Sequence, residues 1–285
     1  MDMGKILVTH YKVRINDPEN APQKPFSVAV LSDMHNEVYR SGVAQLMEAI
    51  RNEQVSAVFS VGDLLVAKGE RCACDVALDV LGRLTELYPV YAVNGNHEVR
   101  MRNVPQFREQ FLEYDRRVRA LGVTMVDNLR VPLRIGGSRI GLYGLEIDNG
   151  YYRRNLREGE HEQPSKGRKP ARKHFLTVQD MEKLVGKPQP GEYHILLAHF
   201  PRYFPTYAAW GADLTLSGHN HGGIIRLPGI GGLIGPDPGL LPKYDHGEFA
   251  IDGRKMIVSA GLGTHTIDLR INNPAELVIL DFVGA

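Results

Sequence analysis

The stretch Pro25-Phe26-Ser27-Val28-Ala29-Val30-Leu31-Ser32-Asp33-Met34-His35 joins a continuous apolar run of strand length to a carboxylate and an imidazole. Such a run, bounded by polar residues, reads as a buried strand from Pro25 to Leu31. Working outward, Ser41 to Arg51 carries Val43, Leu46, Met47 and Ile50 at three- and four-residue spacing, which predicts a helix. Ala57-Val58-Phe59-Ser60-Val61 follows as a second strand ending at Gly62-Asp63. Val76 to Leu87 sets Leu78, Leu81, Leu84 and Leu87 in helical register, and Val90-Tyr91-Ala92-Val93 is a third strand that ends at Asn94-Gly95-Asn96-His97. This βαβαβ order implies mostly parallel strands joined by helical crossovers.

Downstream, a helix is expected near Gln106 to Ala120, with short strands at Val123 to Val126, Leu129 to Ile135 and Arg139 to Leu145. Further strands are expected at Tyr193 to Ala198, Leu214 to Ser217, Phe249 to Ile251, Met256 to Ser259 and Leu277 to Asp281. These exceed the usual size of one open sheet. The economical layout is an α/β fold of two packed mixed β-sheets flanked by helices, built as one domain over residues 1–285 without internal repeats.

The 285 residues are 43% hydrophobic, and Lys+Arg 34 against Asp+Glu 33 gives a net charge of +1. That composition excludes a disordered chain, and the charge lacks the broad positive field of a general nucleic-acid binder. Cys72 and Cys74 form a C-x-C pair with no second pair to complete a four-sulfur zinc site, so both read as free thiols. No apolar run approaches the ~20 residues that span a bilayer. Two segments break the strand and helix pattern. Residues 151–175 hold eight Lys/Arg and three Glu, which reads either as a solvated loop or as a lid that attracts an anionic substrate. Pro228 to Pro242 holds five Gly and four Pro and reads as a shaped loop; its apolar part, Ile230 to Leu241, could meet a lipid-linked substrate.

Five clusters lie at or just beyond expected strand ends: Asp33-Met34-His35, Gly62-Asp63, Gly95-Asn96-His97-Glu98, His199 and Gly218-His219-Asn220-His221. The carboxyl ends of strands in open α/β sheets form the ligand crevice, so these side chains can converge across the chain. Carboxylates, imidazoles and an amide oxygen together suit two divalent cations roughly 3.5–4 Å apart, which bind a phosphate and place a nucleophile in line with phosphorus. Asp63 is the natural bridge between the cations, and Asn96 would be an amide ligand. A His/Asp/Asn set without cysteine favours manganese, iron or zinc over calcium.

Through these five clusters the sequence resembles the calcineurin-like metallophosphoesterases, and most closely their bacterial YkuE-like subgroup. Leu31-Ser32-Asp33-Met34-His35-Asn36, Pro242-Lys243-Tyr244, Gly261-Leu262-Gly263-Thr264 and Asn273-Pro274-Ala275-Glu276-Leu277 also carry the subgroup resemblance. It implies a four-layer helix-sheet-sheet-helix sandwich. It also implies a first cation on Asp33, His35, Asp63 and His221, and a second on Asp63, Asn96, His199 and His219. His97 would bind no metal and would stabilise or protonate the departing oxygen. Asn36 and Glu98 are candidates to orient the imidazoles, Tyr244 and His246 to line the substrate pocket, and Arg270 to touch phosphate.

The expected activity is a dinuclear metal-dependent phosphohydrolase that cleaves a phosphoester or pyrophosphate bond by attack of a metal-bridging hydroxide. The alternatives are a lipid-linked nucleotide pyrophosphatase similar to UDP-2,3-diacylglucosamine hydrolase and a non-catalytic metal-binding scaffold. The expected partner is a phosphorylated small molecule or a lipid-linked substrate, not long nucleic acid. Residues Met1 to Lys5 lack a secretory signal, so the chain as written reads as cytoplasmic. An anchor or export signal removed from its amino terminus, such as many members of the subgroup carry, would change that to membrane-associated or exported.

Overall fold

In the computed structural model, residues 6–38, 42–68, 71–152, 175–223, 225–227, 231–232, 242–264 and 270–284 are described. The first half of the chain runs β1 (Leu7–Ile15), β2 (Phe26–Leu31), α1 (Gly42–Asn52), β3 (Ala57–Ser60), β4 (Val66–Lys68), β5 (Arg71–Ala73), α2 (Asp75–Thr85), β6 (Val90–Ala92), α3 (Asn96–Asn103), α4 (Arg108–Ala120), β7 (Thr124–Met125), β8 (Leu129–Ile135) and β9 (Ser138–Leu145). The second half continues α5 (Val178–Val185), β10 (Tyr193–Ala198), α6 (Phe204–Trp210), β11 (Leu214–Ser217), β12 (Arg226–Leu227), β13 (Gly231–Gly232), β14 (Gly247–Ile251), β15 (Arg254–Val258) and β16 (Glu276–Gly284).

Two six-stranded sheets result, in the orders β1-β16-β2-β3-β6-β7 and β14-β15-β11-β10-β9-β8. The run β2-β3-β6-β7 is parallel throughout. So is β9-β10-β11-β15. Alternation along β2 explains its unbroken apolar sequence. Val28 and Val30 point into the layer between the sheets, where they meet Ile195, Leu197, Leu214 and Leu216. Ala29 and Leu31 point the other way, under Leu46 and Ile50 of α1 and Leu81 of α2. On the far side, Met181 of α5 and Tyr207 and Trp210 of α6 cover Leu196 and Ala198. The order of layers is therefore helix, sheet, sheet, helix, as the excess of strands implied.

The differences from expectation are local. The helix expected from Gln106 starts at Arg108, because Pro105 sets a preceding 3-10 turn over Pro105–Phe107. The short helices α5 and α6, the hairpin β4–β5 and helix α3 carry too few periodic residues to show in the sequence. Cys72 and Cys74 are free thiols, as expected. No described helix is long and apolar enough to cross a membrane. The basic segment falls outside the described residues except for Tyr151, Tyr152 and Phe175, and the Pro228–Pro242 loop except for Gly231, Gly232 and Pro242. The readings of a lid and of a lipid-facing loop rest on those parts.

Candidate metal centre

The parallel runs of the two sheets deliver their carboxyl ends to one edge of the sandwich. Asp33 and His35 follow β2, Asp63 follows β3 and Asn96 opens α3 beyond β6, while His199 follows β10 and His219 and His221 follow β11. The loops after β2 and β3 are joined by backbone hydrogen bonds, from Asp33 N–H to the Gly62 carbonyl (3.1 Å) and from His35 N–H to the Asp63 carbonyl (2.9 Å). Asp33, His35, Asn36, Asp63, His219 and His221 all adopt positive φ, between 49° and 70°. Non-glycine residues take that conformation rarely, and six of them here mark a backbone bent to aim side chains inward. At Gly95 any Cβ would sit 2.3 Å from Asp63 Oδ1, so the close approach of these two loops requires glycine.

Asp63 lies at the centre. Its Oδ1 accepts the backbone N–H of His97 at 2.8 Å. Its Oδ2 lies 3.1 Å from His199 Nε2 and 3.9 Å from His35 Nε2, so one carboxylate oxygen faces imidazoles on both sides. On one side, Asp33, His35 and His221 bring ligand atoms within 4.8 Å of one another. His35 Nε2 and His221 Nε2 are 2.9 Å apart, and Asp33 Oδ1 is 3.5 Å from His221 Nε2. On the other side, Asp63, His199 and His219 form a second such group. There Asn96 Oδ1 lies 3.2 Å from His199 Nε2 and 2.9 Å from His219 Nδ1. The seven residues expected as ligands are thus gathered into one pocket around Asp63.

This donor set suits cations. His199 Nδ1 is 2.9 Å from the Val61 carbonyl, which can only accept, so the ring proton sits on Nδ1 and the Nε2 lone pair faces Asp63 and Asn96. Burial lowers the pKa of His199, but the charges of Asp63 and Asp33 outweigh it and push the imidazole up to about 9. Burial alone would raise Asp63, yet the His199, His97 and His35 side chains hold it well below the usual carboxylate range. Two buried carboxylates facing imidazole nitrogens and an amide oxygen call for positive charge, which metal ions would supply.

His97 accepts the Ala67 N–H on Nδ1 at 3.0 Å, so its neutral ring carries the proton on Nε2. Burial also lowers its pKa. His97 groups with His35 and Asp63 in the pocket. Glu98 orients a loop, where the sequence had suggested an imidazole. Its carboxylate accepts the N–H groups of Asp63, Leu64, Leu65 and Gly95, which fixes the turn bearing Asp63.

The remaining sequence candidates have other partners. Asn36 Oδ1 accepts the N–H groups of Val76 and Ala77 and so caps α2. The Tyr244 ring packs in the core with Phe204, Met256 and Val258. His246 pairs with buried Glu276 at 2.8 Å. Arg270, expected to touch phosphate, is 3% exposed and donates to the carbonyls of Ala260, Gly261, Gly263 and Pro274. Its donors are turned to the backbone.

Two features escaped the sequence. The Tyr152 ring stands 5.3 Å from that of His219 and 4.7 Å from that of Phe200, an aromatic wall beside the second ligand group. No periodicity or motif flags it. Asn94 is held through its N–H by Asp127 at 2.7 Å, and its amide donates to Glu146 at 2.9 Å. Arg102 then clamps Glu146. Burial, reinforced by the Glu146 charge, raises Asp127 to about 7, so the folded state takes up a proton that the unfolded chain, near 3.9, does not. That contribution to stability is complete below about pH 4 and is lost as pH rises through about 7. Asp127→Asn is therefore expected to show a smaller fall in thermal midpoint from pH 5 to pH 8 than the wild type. Equal falls in both would remove Asp127 as the titrating group.

The sequence model for "calcineurin-like phosphoesterase" matches residues 26–223, which carry all seven of these donors. The chain belongs to the calcineurin-like phosphoesterase family. It is a metal-dependent phosphoesterase. Among relatives, the uncharacterized metallophosphoesterase YkoQ of Bacillus subtilis (strain 168) is 22% identical over 266 residues, covering 93% of this chain and 87% of YkoQ. The phosphodiesterase YaeI of Escherichia coli (strain K12) is 24% identical over 265 residues, covering 91% of this chain and 83% of YaeI. The uncharacterized metallophosphoesterase YkuE of Bacillus subtilis (strain 168) is 31% identical over 105 residues, 37% of this chain and 36% of YkuE.

Proposed function

We propose that this phosphoesterase hydrolyses a phosphodiester of a small phosphorylated molecule with a pair of cations. Asp33, His35, Asp63 and His221 would hold one cation, and Asp63, Asn96, His199 and His219 the other. The observation that carries the reading is the placement of Asp63, with one oxygen facing His35 at 3.9 Å and His199 at 3.1 Å. When bound, the cations supply Lewis acidity toward the phosphate oxygens and a water activated for attack.

The protein's own part is positioning and proton placement. The His97 N–H and Glu98 fix Asp63, and the Val61 carbonyl fixes the tautomer of His199. The Ala67 N–H holds the His97 ring through Nδ1, so that its Nε2 carries the proton that would be donated to the departing oxygen. The choice of a diester follows the similarity to the phosphodiesterase YaeI, which aligns over 91% of this chain.

The test is hydrolysis of bis(p-nitrophenyl) phosphate and of p-nitrophenyl phosphate with added manganese, with and without chelator. The diester is expected to be the better substrate, with activity abolished by chelator and restored by manganese. Activity that survives exhaustive chelation would contradict the reading, and a preference for the monoester would move the substrate class.

A further inference from the structure

The segment Arg270–Glu276 precedes and opens β16, contains none of the seven donors, and still reaches the loops that carry four of them, Asp33, His35, His219 and His221. Three of its side chains are almost fully buried: Arg270 at 3%, Asn273 at 3% and Glu276 at 1% exposure. Asn273 spends both amide protons on the ligand loop after β11, on the carbonyls of His221 (2.6 Å) and Gly223 (2.7 Å). Arg270 gathers the loop after β15 through the carbonyls of Ala260 (2.6 Å), Gly261 (3.1 Å) and Gly263 (2.7 Å). Glu276 fixes the same loop from the other side by accepting the Ala260 N–H at 2.7 Å.

That loop abuts Asp33. Leu262 N–H donates to the Ser32 carbonyl at 3.0 Å and Gly263 N–H to the Asp33 carbonyl at 2.8 Å. The approach is close enough that a Cβ on Gly261 would lie 2.7 Å from Asp33 Cβ, and one on Gly263 would lie 1.9 Å from the Met34 carbonyl oxygen. Buried polar groups that satisfy one another hold a single geometry, because breaking any one of these bonds leaves a desolvated partner. The strap therefore fixes the backbone beneath Asp33 and His221, which group with His35, and Asp33 in turn accepts the His219 N–H at 2.9 Å.

We infer that Arg270, Asn273 and Glu276 are positioning residues that act first on the cation site formed by Asp33, His35 and His221, whose His221 carbonyl Asn273 holds directly, and reach His219 only through the loop and the Asp33 carboxylate that it shares with that site. This rests on the two-cation reading above. Asn273 is the cleanest probe, because it acts on His221 directly and touches no ligand atom.

The experiment loads the full chain and its Asn273→Ala and Asn273→Ser variants with manganese, removes excess ion, and measures bound metal by elemental analysis and electron paramagnetic resonance. Wild type is expected to hold two ions per chain with an exchange-coupled spectrum. Asn273→Ala is expected to hold one, with a mononuclear spectrum, and to need about 10–100-fold more manganese to fill the other site, the usual effect of losing an outer-shell partner. Asn273→Ser, which keeps one donor, should fall between the two and serves if the alanine variant does not fold. Two ions bound at wild-type affinity in the variants, or both sites lost together, would overturn the strap while leaving the two-cation reading intact. A single ion in wild type would overturn both.

Discussion

Asp63→Asn is expected to lower kcat/KM for bis(p-nitrophenyl) phosphate by on the order of 1,000-fold or more, with the fold retained. The variant keeps an oxygen for the His97 N–H but turns an uncharged NH2 toward His35 and His199, the two imidazoles that Oδ2 faces. In the proposed centre, both cation sites would lose their shared anion. Lewis-acid stabilisation of the transition state is worth several kcal/mol, and each 1.36 kcal/mol is tenfold in rate. Steady-state kinetics with a circular-dichroism check of folding measure this. A loss below tenfold in a folded variant would show that Asp63 does not join the two ligand groups.

His97→Asn is expected to cost roughly 100- to 10,000-fold on a diester with an alkoxide leaving group, the range for a positioned proton donor. On a p-nitrophenyl diester the cost should be much smaller, because nitrophenolate departs without help. The contrast follows from the tautomer: Ala67 N–H occupies Nδ1, so the transferable hydrogen is on Nε2. Bound metal should match wild type. A variant lacking one cation would instead make His97 a ligand, and an equal cost on both substrates would assign it to the phosphoryl oxygens.

The donors were legible in the sequence because the sheets impose an order on them. A parallel strand buried on both faces is a continuous apolar run, and whatever polar residue follows it stands at the carboxyl edge. Asp33, Asp63 and His199 each stand within three residues of the end of such a run, which is why spacing along the chain could be turned into convergence in space. The residues that hold the donors left no comparable trace. Asn273 reaches the carbonyl of His221 across 52 positions, and a bond from a side chain to a remote backbone group carries no period and no motif. Arg270 shows the limit most plainly. In the sequence a cation near the family motifs reads as a phosphate contact, whereas in the fold backbone carbonyls surround its guanidinium. Glu98 was visible as a neighbour of the ligands, but its target, the N–H groups of the Asp63 turn, is set by the close packing of two loops that meet only in the folded chain.

The most direct measurement is anomalous diffraction from crystals grown with manganese, recorded on either side of the metal edge. The account predicts two peaks roughly 3.5–4 Å apart, on either side of the Asp63 carboxylate, one beside His35 and His221 and the other beside His199 and His219. A single peak, or peaks remote from Asp63, would contradict it.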